Sequence, residues 1–164
     1  MAVNNVIVTF FYCGIHDFDI ELFRLVLGAC EGQQTLECLS ILVATRAWIP
    51  STEHRVQQSP VVRGDNLAAL SLVLKMRPRT DHMAIIGREI ALHLVHYSFL
   101  PVVYHTPGVP HIIADSLSCV YDPSRPEAIE ILQHPALSTA SRTEAPVRSP
   151  SYYKALESFN PQSK

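Results

Sequence analysis

No apolar run in this sequence reaches the roughly 18 residues that a membrane-spanning helix needs. The N-terminus also lacks the basic-then-apolar layout of a secretory leader. Both absences predict an intracellular protein with no membrane partner, with cytoplasm and nucleus left open. Cysteine is sparse: Cys13, Cys30, Cys38 and Cys119 show no CxxC spacing, so neither a structural zinc site nor a disulfide framework is indicated. Buried reduced thiols are the simpler reading. There is no glycine-rich phosphate loop, no HExxH pair and no serine or cysteine in a recognisable nucleophile setting. His93 and His96 lie three apart on one helix face, a spacing that fits a half-buried face better than a metal pair. Charge is low as well, at 17% of residues with a formal net of −2, which gives no global reason to bind a polyanion.

The rest describes a globular chain. Of its 164 residues, 48% are hydrophobic, enough for one domain with an apolar core. The stretch VNNVIVTFFYC, residues 3–13, is rich in β-branched and aromatic residues and predicts a strand. A long connection follows, with a short helix around Ile20–Leu27. Gln33–Ile49 is the clearest helix, apolar nearly all round from Leu36 and ended by Pro50. His54–Arg63 reads as an edge or bulged strand because of Pro60. Asp65 and Asn66 then lead into a helix whose Leu67, Leu70 and Leu74 share a stripe.

A third helix covers His82–Phe99, with Met83, Ile86, Ile90, Leu94 and Tyr97 at spacings of three and four. Pro101–Thr106 is a short strand before the Pro107-Gly108 turn, and Pro110 suits the first position of a last helix, HIIADSLSCV. From residue 122 the composition shifts to Ser, Pro, Arg and Thr, predicting a Pro/Ser-rich, largely disordered tail over 122–164 with at most a short helix near Glu127–Gln133. Alternating strands and helices predict an α/β domain over 1–121 with at least one parallel strand pair.

Three acids stand out by position. Glu37 lies in the first turns of an apolar helix, on a stripe with Ser40, Ile41, Ala44 and Trp48 that points to the buried side. Asp65 sits where a strand hands over to a helix, and Asp115 lies one turn inside a helix that follows a strand. Each has a structural explanation: Asp65 as a helix N-cap, Glu37 as a partner of the helix dipole, Asp115 as one polar position beside Ser116 and Ser118. Taken together they could converge on a hard divalent cation, which takes oxygen ligands. Ligands in open α/β sheets collect beyond the carboxyl ends of strands.

These residues carry a family resemblance. GQQTLECLSILVATRAWIP is similar to the glutamate-bearing helix of ribonuclease H domains in retroelement reverse transcriptases, and VVRGDNLAALSLVLKM to their following strand, aspartate and helix. VVYHTPGVPHIIADSLS resembles the family's closing pattern of a strand, H-x-PG, a variable joint and ADALSR. The resemblance covers residues 32–120. It implies a ribonuclease H-like fold and a retroelement polyprotein origin. It also implies that Glu37, Asp65 and Asp115 match the second, third and fourth acidic ligands of a two-ion Mg2+ site that hydrolyses RNA in RNA–DNA hybrids. The partners implied are such a hybrid, or another nucleic acid, and the polymerase portion of the polyprotein. Lys75, Arg77, Arg79 and Arg88 are candidates for phosphate contact.

The sequence departs from the family in three places. Cys119 stands where the closing arginine is common, and His111 where asparagine is common. The D-A-S strand that carries the first aspartate, and the strand after it, have no counterpart. Asp17 and Asp19 do not replace that aspartate, since no strand leads into them. The resemblance therefore predicts an N-terminally truncated, incomplete mixed sheet flanked by helices. The family order 3-2-1-4-5 leaves the N-terminal strand to move inward, stay unpaired or pair with another chain. Activity is expected to be impaired or lost. The alternative is a non-catalytic nucleic-acid-binding or scaffold remnant.

Overall fold

A computed structural model describes residues 2–3, 6–7, 9–26, 32–48, 60–97, 100–106 and 112–153. The chain is mixed α/β. It forms two compact units, one made of residues 1–14 and 106–145 and the other of residues 15–105 and 146–164.

The larger unit is built around α2 (Gln33–Trp48), α3 (Leu67–Lys75) and α4 (Asp81–Tyr97), which pack on one another. α2 contributes Cys38, Leu39, Leu42 and Val43 to the core, α3 contributes Leu70, Leu72 and Val73, and α4 contributes Met83, Ile86 and Ile90. The close approach of α3 and α4 depends on Gly87, where an added Cβ would lie 3.0 Å from a Leu72 methyl. The stripe of α4 is as its spacing predicts: Met83, Ile86 and Ile90 are buried, and Leu94 and Tyr97 half-buried. That of α3 is not. Leu67 and Leu74 are 62% and 61% exposed, and the buried set is Ala68, Ala69, Leu70, Leu72 and Val73. With leucine recurring all round this short helix, the alanines set the inward face by letting α2 and the strands approach closely.

β4 (Val61–Gly64) and β5 (Val102–His105) pair in parallel, Val61 opposite Val102 and Gly64 opposite His105. The helices α3 and α4 make the crossover between them, as a parallel pair requires. The parallel pair inferred from the alternation of elements is therefore present. α3 packs on both strands. Residues 51–59 of the expected strand His54–Arg63 lie outside the described residues. Asn66 is the N-cap of α3, its side chain accepting from the Ala68 and Ala69 N–H groups at 2.9 and 3.1 Å. Replacing a cap of this kind with alanine costs about 1 kcal/mol. Asn66→Ala should lower unfolding free energy by that amount in urea titration, and Asp65→Ala should not.

α1 (Asp17–Phe23) starts and ends earlier than the helix expected around Ile20–Leu27. Arg24, in the left-handed region at φ 49°, terminates it.

In the smaller unit the expected continuous N-terminal strand is interrupted. β1 (Ala2–Val3) and β2 (Val6–Ile7) pair antiparallel, and β3 (Thr9–Phe10) pairs in parallel with β6 (Ser141–Arg142). Asparagine is depleted in strands, and Asn4 and Asn5 stand between β1 and β2 in sequence. β3 thus finds its partner within the chain, an outcome not among the three expected for it. The Thr9 hydroxyl donates to the Ser141 carbonyl at 2.8 Å, and the Thr143 N–H donates to the Phe10 carbonyl at 2.8 Å. Arg142 lies over the Tyr12 ring at 4.2 Å. Among the described residues the strands form three two-stranded sheets rather than one mixed sheet.

The boundary expected at 121 is also corrected. Residues 122–153 are built into both units. They include a 3-10 helix at Pro126–Gln133, where a short helix was expected, then α6 (Pro135–Ser138), β6 and a 3-10 turn at Pro150–Tyr152. Ala128, Leu137, Arg148, Tyr152 and Tyr153 are buried, so this stretch is held by packing that its polar composition conceals. Among the described residues no helix is long and apolar enough to cross a membrane.

Candidate functional site

Asp65 follows the last residue of β4, at the carboxyl end of a parallel pair, and is exposed. The capping explanation for it is overturned, because Asn66 performs that role one residue later. Beside it stand His105, opposite Gly64 in the register, and the Arg63–Tyr104 pair, whose guanidinium carbon lies 5.9 Å from the ring centroid. Val61, Arg63, Val102 and Tyr104 are exposed on one face of the two strands, while the opposite face meets α3 through Gly64 and Leu70. The alternation of exposed and half-buried residues in β4 gives this arrangement.

Glu37 is half-buried rather than directed into the core. α2 buries Thr35, Cys38, Leu39, Leu42 and Val43, while Ser40 is exposed and Ile41, Ala44 and Trp48 are half-buried. A helix that is apolar on most of its circumference carries little information about which side faces inward, and the stripe chosen from the sequence is the outer one. Burial, with the neighbouring Glu37 charge, pushes the Cys38 thiol up to about 12. Cys38 is therefore a protonated core residue. Cys13 and Cys119 are half-buried.

Asp115 is exposed on α5 (Ile112–Ser118), a helix with no buried residue. It belongs to the smaller unit, and Glu37 and Asp65 belong to the larger. Among the described residues no three His, Cys, Asp or Glu side chains group so as to hold a metal ion. Cys119, at the end of this motif, receives the Arg125 Nη1 at 3.0 Å. His111 and the Pro107-Gly108 turn lie outside the described residues.

His93 is half-buried and His96 exposed, both edge-on to Tyr97. Burial first, and the Arg46 charge next, lower His93 to about 4, so it stays neutral near pH 7.

The sequence reading missed two buried ionic groups. Glu89 on α4 is fully buried against Arg46 of α2, with Nη2 to Oε2 at 2.5 Å. Asp19 on α1 is fully buried against Arg148, with Nε to Oδ2 at 2.5 Å, and accepts from the Tyr153 hydroxyl at 2.7 Å. The one available signal was Asp19 itself, an acid in the first turn of a helix whose carboxylate also accepts the His16 N–H at 3.3 Å.

No protein-family model, no curated protein and no solved structure gives a match to this chain.

Proposed function

We propose that this chain is a ribonuclease H-like domain derived from a retroelement polyprotein. Its parent activity is divalent-metal-dependent hydrolysis of RNA in RNA–DNA hybrids, and its own turnover is impaired. The observation that carries the reading is the position of Asp65. This carboxylate directly follows a parallel strand, is open to solvent and is released from helix capping by Asn66. Substrates of open α/β sheets are met in that position.

The carboxylate of Asp65 has the donor chemistry for Mg2+, which takes hard oxygen ligands and keeps part of its water; Glu37 and Asp115 are the further ligands that the resemblance implies. Bound there, the ion would neutralise phosphate charge and lower the pKa of an attacking water. Asp65 would bind the ion at the strand end, and the adjacent Arg63 is available to a phosphate oxygen. Impairment is inferred from the replacements at residues 111 and 119, His and Cys where the resembled motif has Asn and Arg. The same replacements favour a second reading, a remnant that binds nucleic acid without cutting it.

The test is a time course of a labelled RNA–DNA hybrid with the purified chain and Mg2+, alongside gel-shift binding. Slow Mg2+-dependent cleavage is expected, and Asp65→Asn should reduce it by about a hundredfold or more while binding persists. Binding with no cleavage selects the remnant. A chain that neither binds nor cuts the hybrid refutes both readings.

A further inference from the structure

Among the described residues the buried charged side chains are Asp19, Glu89 and Arg148, and all three lie in the larger unit where Pro146–Tyr153 meets its helices. Arg148 reaches Asp19 at 2.5 Å, and the Tyr153 hydroxyl reaches the other Asp19 oxygen at 2.7 Å. The Tyr153 ring stands edge-on to Phe23, with centroids 5.6 Å apart, and lies 6.0 Å from Phe18. On the α2 side, Arg46 donates to the Tyr152 carbonyl and to Glu89, and its guanidinium sits 4.3 Å from the Tyr152 ring centroid. α1, α2 and α4 thus offer this segment an aromatic wall, one carboxylate for a cation and one guanidinium for a carbonyl and a ring.

The segment carries little structure of its own beyond the 3-10 turn Pro150–Tyr152, so side chains of the groove hold it, as they would a bound peptide. It is also joined to this unit only through residues 106–145, which belong to the other one. The segment gives the buried Asp19 carboxylate both a cation and a hydroxyl, and a buried carboxylate that loses such partners is expensive.

We infer that the groove of α1, α2 and α4 is a peptide-recognition site for an Arg-x-x-x-Tyr-Tyr segment, and that residues 146–153 are its tethered ligand. The site reads a cation at Arg148, an aromatic pair at Tyr152 and Tyr153, and the Tyr152 carbonyl. This inference is independent of the proposed nuclease origin. An external peptide of the same chemistry would compete with the tethered copy.

The experiment uses the full chain and a fluorescein-labelled peptide with the sequence of residues 145–153, APVRSPSYY, followed by anisotropy. The wild-type site is occupied in cis, which weakens apparent peptide affinity by the fraction of open groove. Arg148→Ala/Tyr153→Ala disables the tethered copy, and this variant should bind the peptide at least about tenfold more tightly than wild type. Adding Asp19→Asn to it should remove that gain. Should the double variant fail to fold, it is refolded with excess peptide, and recovery of a cooperative melt is the expected result. Equal peptide binding by wild type and double variant would overturn the inference. So would no binding by a folded double variant, no recovery by an unfolded one, or binding indifferent to Asp19→Asn.

Discussion

Arg148→Ala should destabilise the larger unit by about 3–5 kcal/mol, the range for removing one partner from a buried ion pair. The side chains of Arg148 and Asp19 are 2% and 0% exposed, so screening by water, which makes surface pairs nearly worthless, does not apply. Most of the loss comes from the Asp19 carboxylate, left with the Tyr153 hydroxyl and the His16 N–H as its remaining donors. Replacing both partners with apolar residues, Asp19→Leu with Arg148→Met, should recover much of the loss, since that removes the orphaned charge together with its partner. The chain has one tryptophan, Trp48, which lies on α2 in the same unit and reports its unfolding in a urea titration. A loss under about 1 kcal/mol would mean that the pair is solvated.

The second large effect is expected at Leu72. Its side chain is fully buried on α3 and fills the space that Gly87 leaves on α4. Leu72→Ala removes buried methyl groups and leaves a cavity, at a cost of about 2–5 kcal/mol. The atoms that an added Cβ at 87 would meet all belong to the Leu72 side chain, so Gly87→Ala in the Leu72→Ala background should recover part of the loss. Leu74 is the control. Two residues away on the same helix and 61% exposed, it should change stability by less than about 0.5 kcal/mol on replacement by alanine. Equal losses at the two positions would mean that α3 is rotated from the orientation described.

These leucines show where the sequence was informative and where it was not. The existence of α2, α3, α4, β4 and β5 was legible, because each is bounded by proline, polar joints or a cap. The inward face of α3 was misread, since leucines recur all round it and only Ser71 and Lys75, in line with Leu67, mark the outer side. The capping position was read one residue early. Asp65 and Asn66 are both favourable caps, and only the geometry of the turn distinguishes them. Glu37 was assigned to the wrong side of α2 for the same reason as the leucines of α3.

The buried ion pairs were illegible for a different reason. Asp19 and Arg148 are 129 residues apart, and Arg46 and Glu89 are 43 apart. No local pattern records such a pairing. A polar segment between prolines reads as solvated unless its partner is known, and so the stretch after residue 121 looked like a tail. Of the candidate site, Asp65 was located correctly at its strand end. What could not be read was the division of the chain into units, with Asp115 in one and Glu37 and Asp65 in the other.

That division also governs when the protein can fold during its own synthesis. The smaller unit needs Ser141 to reach Thr9, and the larger needs Arg148 to reach Asp19, spans of 132 and 129 residues. Neither unit is complete until the ribosome has translated through the codons for both ends. α2, α3 and α4, which pack on one another within residues 33–97, are therefore synthesised before the segment that neutralises Asp19, and this carboxylate waits for its cation while they assemble.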